Sequence, residues 1–230
     1  ALYQLISNFQ TAFYPQMVGL YARGKNDQFL SLIERASKFS YYLFLVVSIP
    51  FIIFIEPVLS YWLSSVPSYT ANFCRLILVF NLLMAASNPL WMSVQATGKI
   101  KKYQILMSSL LILNFPISYI CLKLGAFAYS IWIVRILVEI VVYIVRIYFL
   151  KGVIGIDANR FIFVTSARML VLFFLNLLIS YGLYNYYDDT FISLLLLMFV
   201  SALMTCATSF LFGFTGDEKK KIIQFVFKRN

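Results

Sequence analysis

The chain has 230 residues, 62% of them hydrophobic and 12% charged, with a formal net charge of +10 and a mean hydropathy of +0.85. Water-soluble domains run about 45–50% apolar, and so few charges cannot cover a soluble surface of this size, which excludes a free-standing soluble domain. Histidine is absent, which removes His-based acid–base chemistry and most zinc sites; with no GxxxxGK[ST] phosphate loop either, the sequence points to no metal and no cofactor.

The pattern predicts an all-α integral membrane protein with about seven transmembrane helices, since a span needs about 20 mainly apolar residues. The first, 1–22, is the least apolar. It places Gln4, Asn8, Thr11 and Pro15 on one face, with Ser7 beside them. Residues 26–38, "NDQFLSLIERASK", read as an interfacial helix capped by Asn26 or Asp27. Phe29, Leu30, Ile33 and Ala36 share a face, and Glu34, Arg35 and Lys38 lie elsewhere. An ordinary loop fits that stretch as well.

The second span, 39–63, contains Pro50 and Pro57. Glu56 reads as a cap on the kinked helix and, more weakly, as a group for ion coupling. The third, 73–97, carries Asn81, Asn88, Pro89 and Gln95. The three amides are seven apart and drift only about 20° per step, so they share a face. Lys99, Lys101 and Lys102 follow in a turn. The fourth span, 104–122, holds Pro116 and an isolated Asn114, the latter suited to bonding a neighbouring helix.

The fifth span, 126–150, includes the unusual stretch "SIWIVRILVEIVVYIVRIYFLK" at 130–151. Each charge at bilayer depth costs roughly 2.5–3.5 kcal/mol on insertion scales, yet Arg135, Glu139 and Arg146 are all present. Their spacings of four and seven bring them within about 40° of one another, with Tyr143 close to the same stripe. Two readings stand. Arg135 and Glu139 bridge at i,i+4 while Arg146 snorkels to the interface, or the stripe lines a polar cavity. Polar stripes in three spans favour the cavity.

The last spans are 162–184, with Asn176, and 191–213. Between them "YNYYDDT" holds Asp188 and Asp189, read as a solvated turn. The tail "DEKKKIIQFVFKRN" interleaves basic residues with Ile222, Ile223, Phe225 and Phe227, a composition suited to an anionic leaflet. Cys74, Cys121 and Cys206 show no pairing pattern and read as small packing residues. The chain divides into 1–150, five helices of one bundle; 151–213, two further helices; and 214–230, a basic cytoplasmic tail.

Cations sort to alternate loops. One set holds Arg23, Lys25, Arg35 and Lys38, then Lys99, Lys101 and Lys102, then Lys151 and Arg160, then Lys219, Lys220, Lys221, Lys228 and Arg229. The other holds Lys123 and, at a span edge, Arg75. The positive-inside rule puts the first set and the C-terminus in the cytoplasm, and it explains the net charge without nucleic acid as a partner. Seven spans then place Ala1 outside. With no initiator Met and no signal peptide, the expectation is a C-terminal piece of a longer protein.

Several stretches together resemble Wzx-type polysaccharide flippases of the multidrug/oligosaccharidyl-lipid/polysaccharide exporter superfamily. "FYPQMVGLYARGKNDQFLSLIERASKFSYYLFLVVSIPFIIFIEPVLSYWL" resembles that family's proline-containing helix, "YA-x-G" cytoplasmic turn, basic linker and following long helix. "VQATGKIKKYQI" resembles its "ATGK" turn, and "LGAFAYSIWIVRILVEI" the start of a following helix. The resemblance covers nearly the whole chain and corresponds to the C-terminal lobe of a 12–14-helix, two-bundle transporter.

The resemblance implies alternating access in a bacterial inner (plasma) membrane. The cargo would be an undecaprenyl-pyrophosphate-linked oligosaccharide, moved from inner to outer leaflet for O-antigen, capsule or lipopolysaccharide synthesis. The implied partners are that lipid-linked oligosaccharide, the bilayer and an N-terminal lobe of the same protein. By their chemistry Arg135 and Arg146 suit the pyrophosphate, with Glu139 holding Arg135 or helping to couple transport to ion flow. Asn81, Asn88, Gln95, Gln4 and Asn8 suit sugar hydroxyls, and Lys99, Lys101 and Lys102 suit the cytoplasmic entrance. A cation-coupled multidrug exporter of the same superfamily is the nearest alternative. A membrane polysaccharide polymerase or acyltransferase and a seven-span receptor are weaker ones: the acyltransferase reading lacks histidine, and the polymerase reading lacks a large outer loop.

Overall fold

The computed structural model describes residues 2–216 and 218–220, and these form helices and turns only. In chain order they are α1 (Leu2–Thr11), α2 (Tyr14–Ala22), α3 (Asn26–Trp62), α4 (Thr70–Thr97), α5 (Ile100–Ile112), α6 (Asn114–Lys123), α7 (Ser130–Ile154), the single turn α8 (Ala158–Arg160), α9 (Ala167–Tyr184) and α10 (Phe191–Thr208). A π-helical turn, Phe161–Ser166, leads into α9, and a second, Ser209–Gly213, ends α10.

Five described helical stretches are long and apolar enough to cross a bilayer: Asn26–Trp62, Thr70–Thr97, Ile100–Lys123, Ala158–Tyr184 and Phe191–Gly213. The chain is therefore a membrane-embedded helical protein. α7 has 25 residues, about 37 Å at 1.5 Å per residue, but its charges set it apart from the five. The expected first span is not one helix. It breaks between α1 and α2, where Pro15 has no N–H for Thr11, the last residue of α1. The same offset separates α5 from α6: Pro116 has no N–H for Ile112.

Side chains are distributed as lipid requires. On α9 and α10, Phe174, Leu178, Leu195 and Phe199 face outward, while Asn176, Ser180, Ser201 and Thr205 are buried. Ser180 and Ser201 hydroxyls meet at 2.6 Å, and Thr208 donates to Asn176 Oδ1 at 2.8 Å. Small polar groups between helices and large apolar groups outside reverse the order of a soluble bundle.

α3 and α4 form the centre. α9 and α10 pack on α3, whereas α7, backed by α5 and α6, packs on α4; α1 and α2 lie against both central helices. Met17, Phe44, Leu45, Ile49, Leu90 and Ile147 are fully buried along these seams. The turns at 23–25 and 98–99, the last turn of α7 with Lys151, α8 with Arg160 and the segment after α10 gather most of the cations at one end, the basic end. Tyr61, Trp62, Tyr69, Phe127, Tyr129 and Tyr186 ring the other, as at a membrane interface.

The stretch at 26–38 is neither a separate interfacial helix nor a loop. It is the first part of α3, whose 37 residues extend about 56 Å, well beyond a hydrocarbon core of about 30 Å. Phe29, Ile33 and Ala36 do share a face, but they pack into the protein. Lys38, expected away from that face, is buried too. Within the tail, Ile222, Ile223, Phe225 and Phe227 lie outside the described residues.

Candidate functional site

The prolines dictate where polar groups must enter the bundle. Pro89 sits inside α4 and cannot donate to the carbonyl of Ala85. Gln10, fully buried on α1, fills that position: its Nε2 donates to Ala85 O at 2.9 Å. Asn88 Nδ2 donates in turn to Gln10 Oε1 at 3.2 Å. On α3, which is non-helical at Phe54 just before Pro57, an arginine enters at the kink, one residue before the carbonyl of Ile53 that the proline leaves without a donor. There Arg75 Nε donates to Ile52 O at 3.1 Å, and Arg75 Nη2 lies 3.0 Å from Glu56 Oε1.

Beside Pro89, α4 presents Ser87 to α7. Arg146 Nη1 donates to Ser87 O at 3.1 Å and also to Ser87 Oγ. Arg146 Nη2 lies 3.9 Å from Glu139 Oε1, and Glu139 and Arg146 are 2% and 7% exposed. The guanidinium sits 5.9 Å from the centre of the Tyr103 ring on α5, within cation–π range. Trp91 stacks on Tyr103 at 4.9 Å, and Phe149 meets its edge at 5.3 Å. Arg146 thus lies in an aromatic-walled seam between α4, α5 and α7.

The seam is not saturated. Among the described residues Arg146 Nε and Glu139 Oε1 have no hydrogen-bond partner. A spacing of 3.9 Å holds the two charges together by attraction without a normal hydrogen bond. A guanidinium offers five donors, and the Nε–H is unused here.

The residues expected to act together separate into groups. The charged stripe of α7 turns towards α4, but its pairing is Glu139–Arg146 rather than Arg135–Glu139. Arg135 is half-buried over the Phe80 ring at 5.2 Å. Tyr143, buried, bonds Ser166 Oγ at 2.9 Å, on the side of the π-turn leading into α9. Asn88 joins the Pro89 network; Asn81 and Gln95 are half-buried on the same helix. Gln4 and Asn8 are exposed and bond each other at 3.2 Å, on the face of α1 opposite Gln10. Lys99, Lys101 and Lys102 are exposed at the basic end, after Gly98, which closes α4 at φ 71°.

Gln10, Ser87 and Tyr103 are the participants that sequence patterning missed. Gln10 lies about 200° from Asn8 around the helix, off the stripe being followed. One signal could have found it: every proline in a span frees the carbonyl four residues earlier, and a lone amide on a nearby helix is a natural donor to it. No family model, curated protein or solved structure matches the chain.

Proposed function

We propose that this chain is one helical lobe of a flippase that carries polyprenyl-pyrophosphate-linked oligosaccharides across a bacterial inner membrane, with its basic, C-terminal end in the cytoplasm. The observation that carries the reading is Arg146: a buried guanidinium in mid-bundle with an unpartnered Nε and a counter-ion held at 3.9 Å. A pyrophosphate needs bidentate charged donors in a place shielded from water, and its polyprenyl tail needs to stay in lipid. The resemblance of the turns and proline-containing helices to polysaccharide flippases points the same way.

In this mechanism the head group enters past Lys99, Lys101 and Lys102 and displaces Glu139 from Arg146. Half-buried Asn81, Asn88 and Gln95, and exposed Gln4 and Asn8, face sugar hydroxyls between this lobe and an opposing one. Glu139 recaptures Arg146 when the cargo leaves, so the arginine is never left unpaired. The two membrane carboxylates, Glu56 and Glu139, each lie beside an arginine. A multidrug exporter that couples to ions through a free carboxylate fits this less well.

The test is disruption of the reading frame in its source cell. Surface polysaccharide should be lost while its lipid-linked precursor accumulates on the inner leaflet. Normal polysaccharide, or sensitivity to cationic dyes with polysaccharide intact, would overturn the assignment.

A further inference from the structure

Lys38 is only 4% exposed, a burial that lysine tolerates only when paired. Its Nζ lies 2.8 Å from Glu34 Oε1, one turn earlier on α3, and 3.2 Å from Glu218 Oε1, in the segment after α10. Thr165 Oγ1, in the π-helical turn before α9, donates to that same Glu34 oxygen at 3.1 Å. One ammonium therefore ties together α3, the entrance to α9 and the segment leaving α10.

That segment is fitted to the surface it covers. Gly213 lies so close to α3 that a Cβ there would stand 2.7 Å from the Tyr42 ring. Phe214 packs on Phe39 and Tyr42, with ring centres 4.7 and 5.2 Å apart. Glu218 Oε2 accepts the Thr215 N–H at 2.8 Å, and Lys219 Nζ donates to Leu211 O at 2.7 Å. Beneath it and within it the hydroxyls of Tyr42 and Ser209 are buried with no hydrogen-bond partner among the described residues. Buried hydroxyls are nearly always paired, so two orphans in one contact mark an arrangement held at a cost. Both neighbouring helix ends are π-helical, a rare form that recurs at functional sites.

The geometry points to a strap. The turn Ser209–Gly213 with Phe214, Thr215 and Glu218 closes over the basic end of α3, is pinned by the Lys38–Glu218 ion pair, and lifts while α3, α4 and α7 stay packed. The second carboxylate makes lifting feasible. Removing the sole partner of a buried charge is strongly unfavourable, but Lys38 keeps Glu34 when Glu218 departs. Opening also lets water reach the two hydroxyls. A dry contact between α3 and α10 becomes a wet one at the end of the bundle where the cations gather. The strap is independent of the cargo proposed above.

The test uses the whole chain in phosphatidylcholine vesicles, with Cys74, Cys121 and Cys206 replaced by alanine and Ser209→Cys, buried in the strap turn, as a reporter for N-ethylmaleimide. Glu218→Gln should accelerate labelling of the reporter by about tenfold or more, the signature of local opening. Glu218→Asp, which keeps the charge, should label at nearly the unmodified rate. A control reporter, Ser180→Cys, buried between α9 and α10, should stay slow in all backgrounds. Equal labelling with and without Glu218→Gln would overturn the strap. So would Glu218→Asp behaving like Glu218→Gln, or acceleration at Ser180→Cys, which would show the bundle loosening as a whole.

Discussion

Gln10 supplies the hydrogen bond that Pro89 cannot make: its side-chain amide reaches the carbonyl of Ala85, four residues before the proline. The two residues are on different helices, so the defect in α4 becomes the attachment point of α1. Gln10→Leu leaves that carbonyl without its donor and should cost about 1–3 kcal/mol. Thermal unfolding in detergent measures it. Pro89→Ala restores an N–H to the helix, so the cost of Gln10→Leu should shrink in the double variant.

Variants of Arg146 and Glu139 distinguish a stabilising role from the proposed transport role. Arg146→Leu strands a buried carboxylate and should destabilise by about 3–5 kcal/mol. Arg146→Leu with Glu139→Leu removes both charges and should recover most of that loss. If Arg146 binds the cargo, the double variant folds and accumulates yet exports no polysaccharide. Export by a stable double variant would remove Arg146 from the mechanism.

At the aromatic end, Arg75 and Glu56 should behave differently although they form one ion pair. Glu56 has its side chain 61% exposed, so Glu56→Gln should change stability by about 0–1 kcal/mol. Arg75→Ala also removes the donor to Ile52 O and should cost about 1 kcal/mol more. Amide exchange around Phe54 should rise in Arg75→Ala and not in Glu56→Gln.

The loop before α10 has an acid-sensitive cap. Thr190 donates to Asp188 Oδ1 through its hydroxyl at 2.8 Å and its amide at 3.3 Å, and its own oxygen accepts the Ser193 N–H. These donors, the Thr190 hydroxyl first, hold the Asp188 carboxyl below its ordinary range. A lowered folded-state value stabilises above the unfolded-state value, and the contribution fades as pH falls towards the folded one. Melting temperature should therefore decline less steeply below about pH 4 in Asp188→Asn than in the unmodified protein.

Much of the bundle was legible from hydropathy alone, because lipid imposes one strong rule on a long helix. The span at 191–213 has the bounds of the described helical stretch, and the stripe of α7 does turn inward. What hydropathy could not show is which side of a helix meets a neighbour. Gln4 and Asn8 form a regular stripe, but the inward face of α1 is marked by Ile6 and Gln10. Lys38 reads as a surface cation because its counter-ions, Glu34 and Glu218, include one 180 residues away. The length of α3 was hidden by the charges of its first turns, which look like a break in a membrane span and are instead a continuation beyond it.

The placement of α7's partners bears on how the chain is made. Phe80, Ser87 and Tyr103, which receive Arg135 and Arg146, all precede α7 in the sequence. Three charges would cost a lone helix roughly 7–10 kcal/mol on insertion scales. By the time the ribosome delivers α7, the helices that shelter those charges have already emerged. For α7, then, the order of synthesis suits the sheltering of its charges, and a chain lacking α4 should lose α7 to quality-control proteolysis.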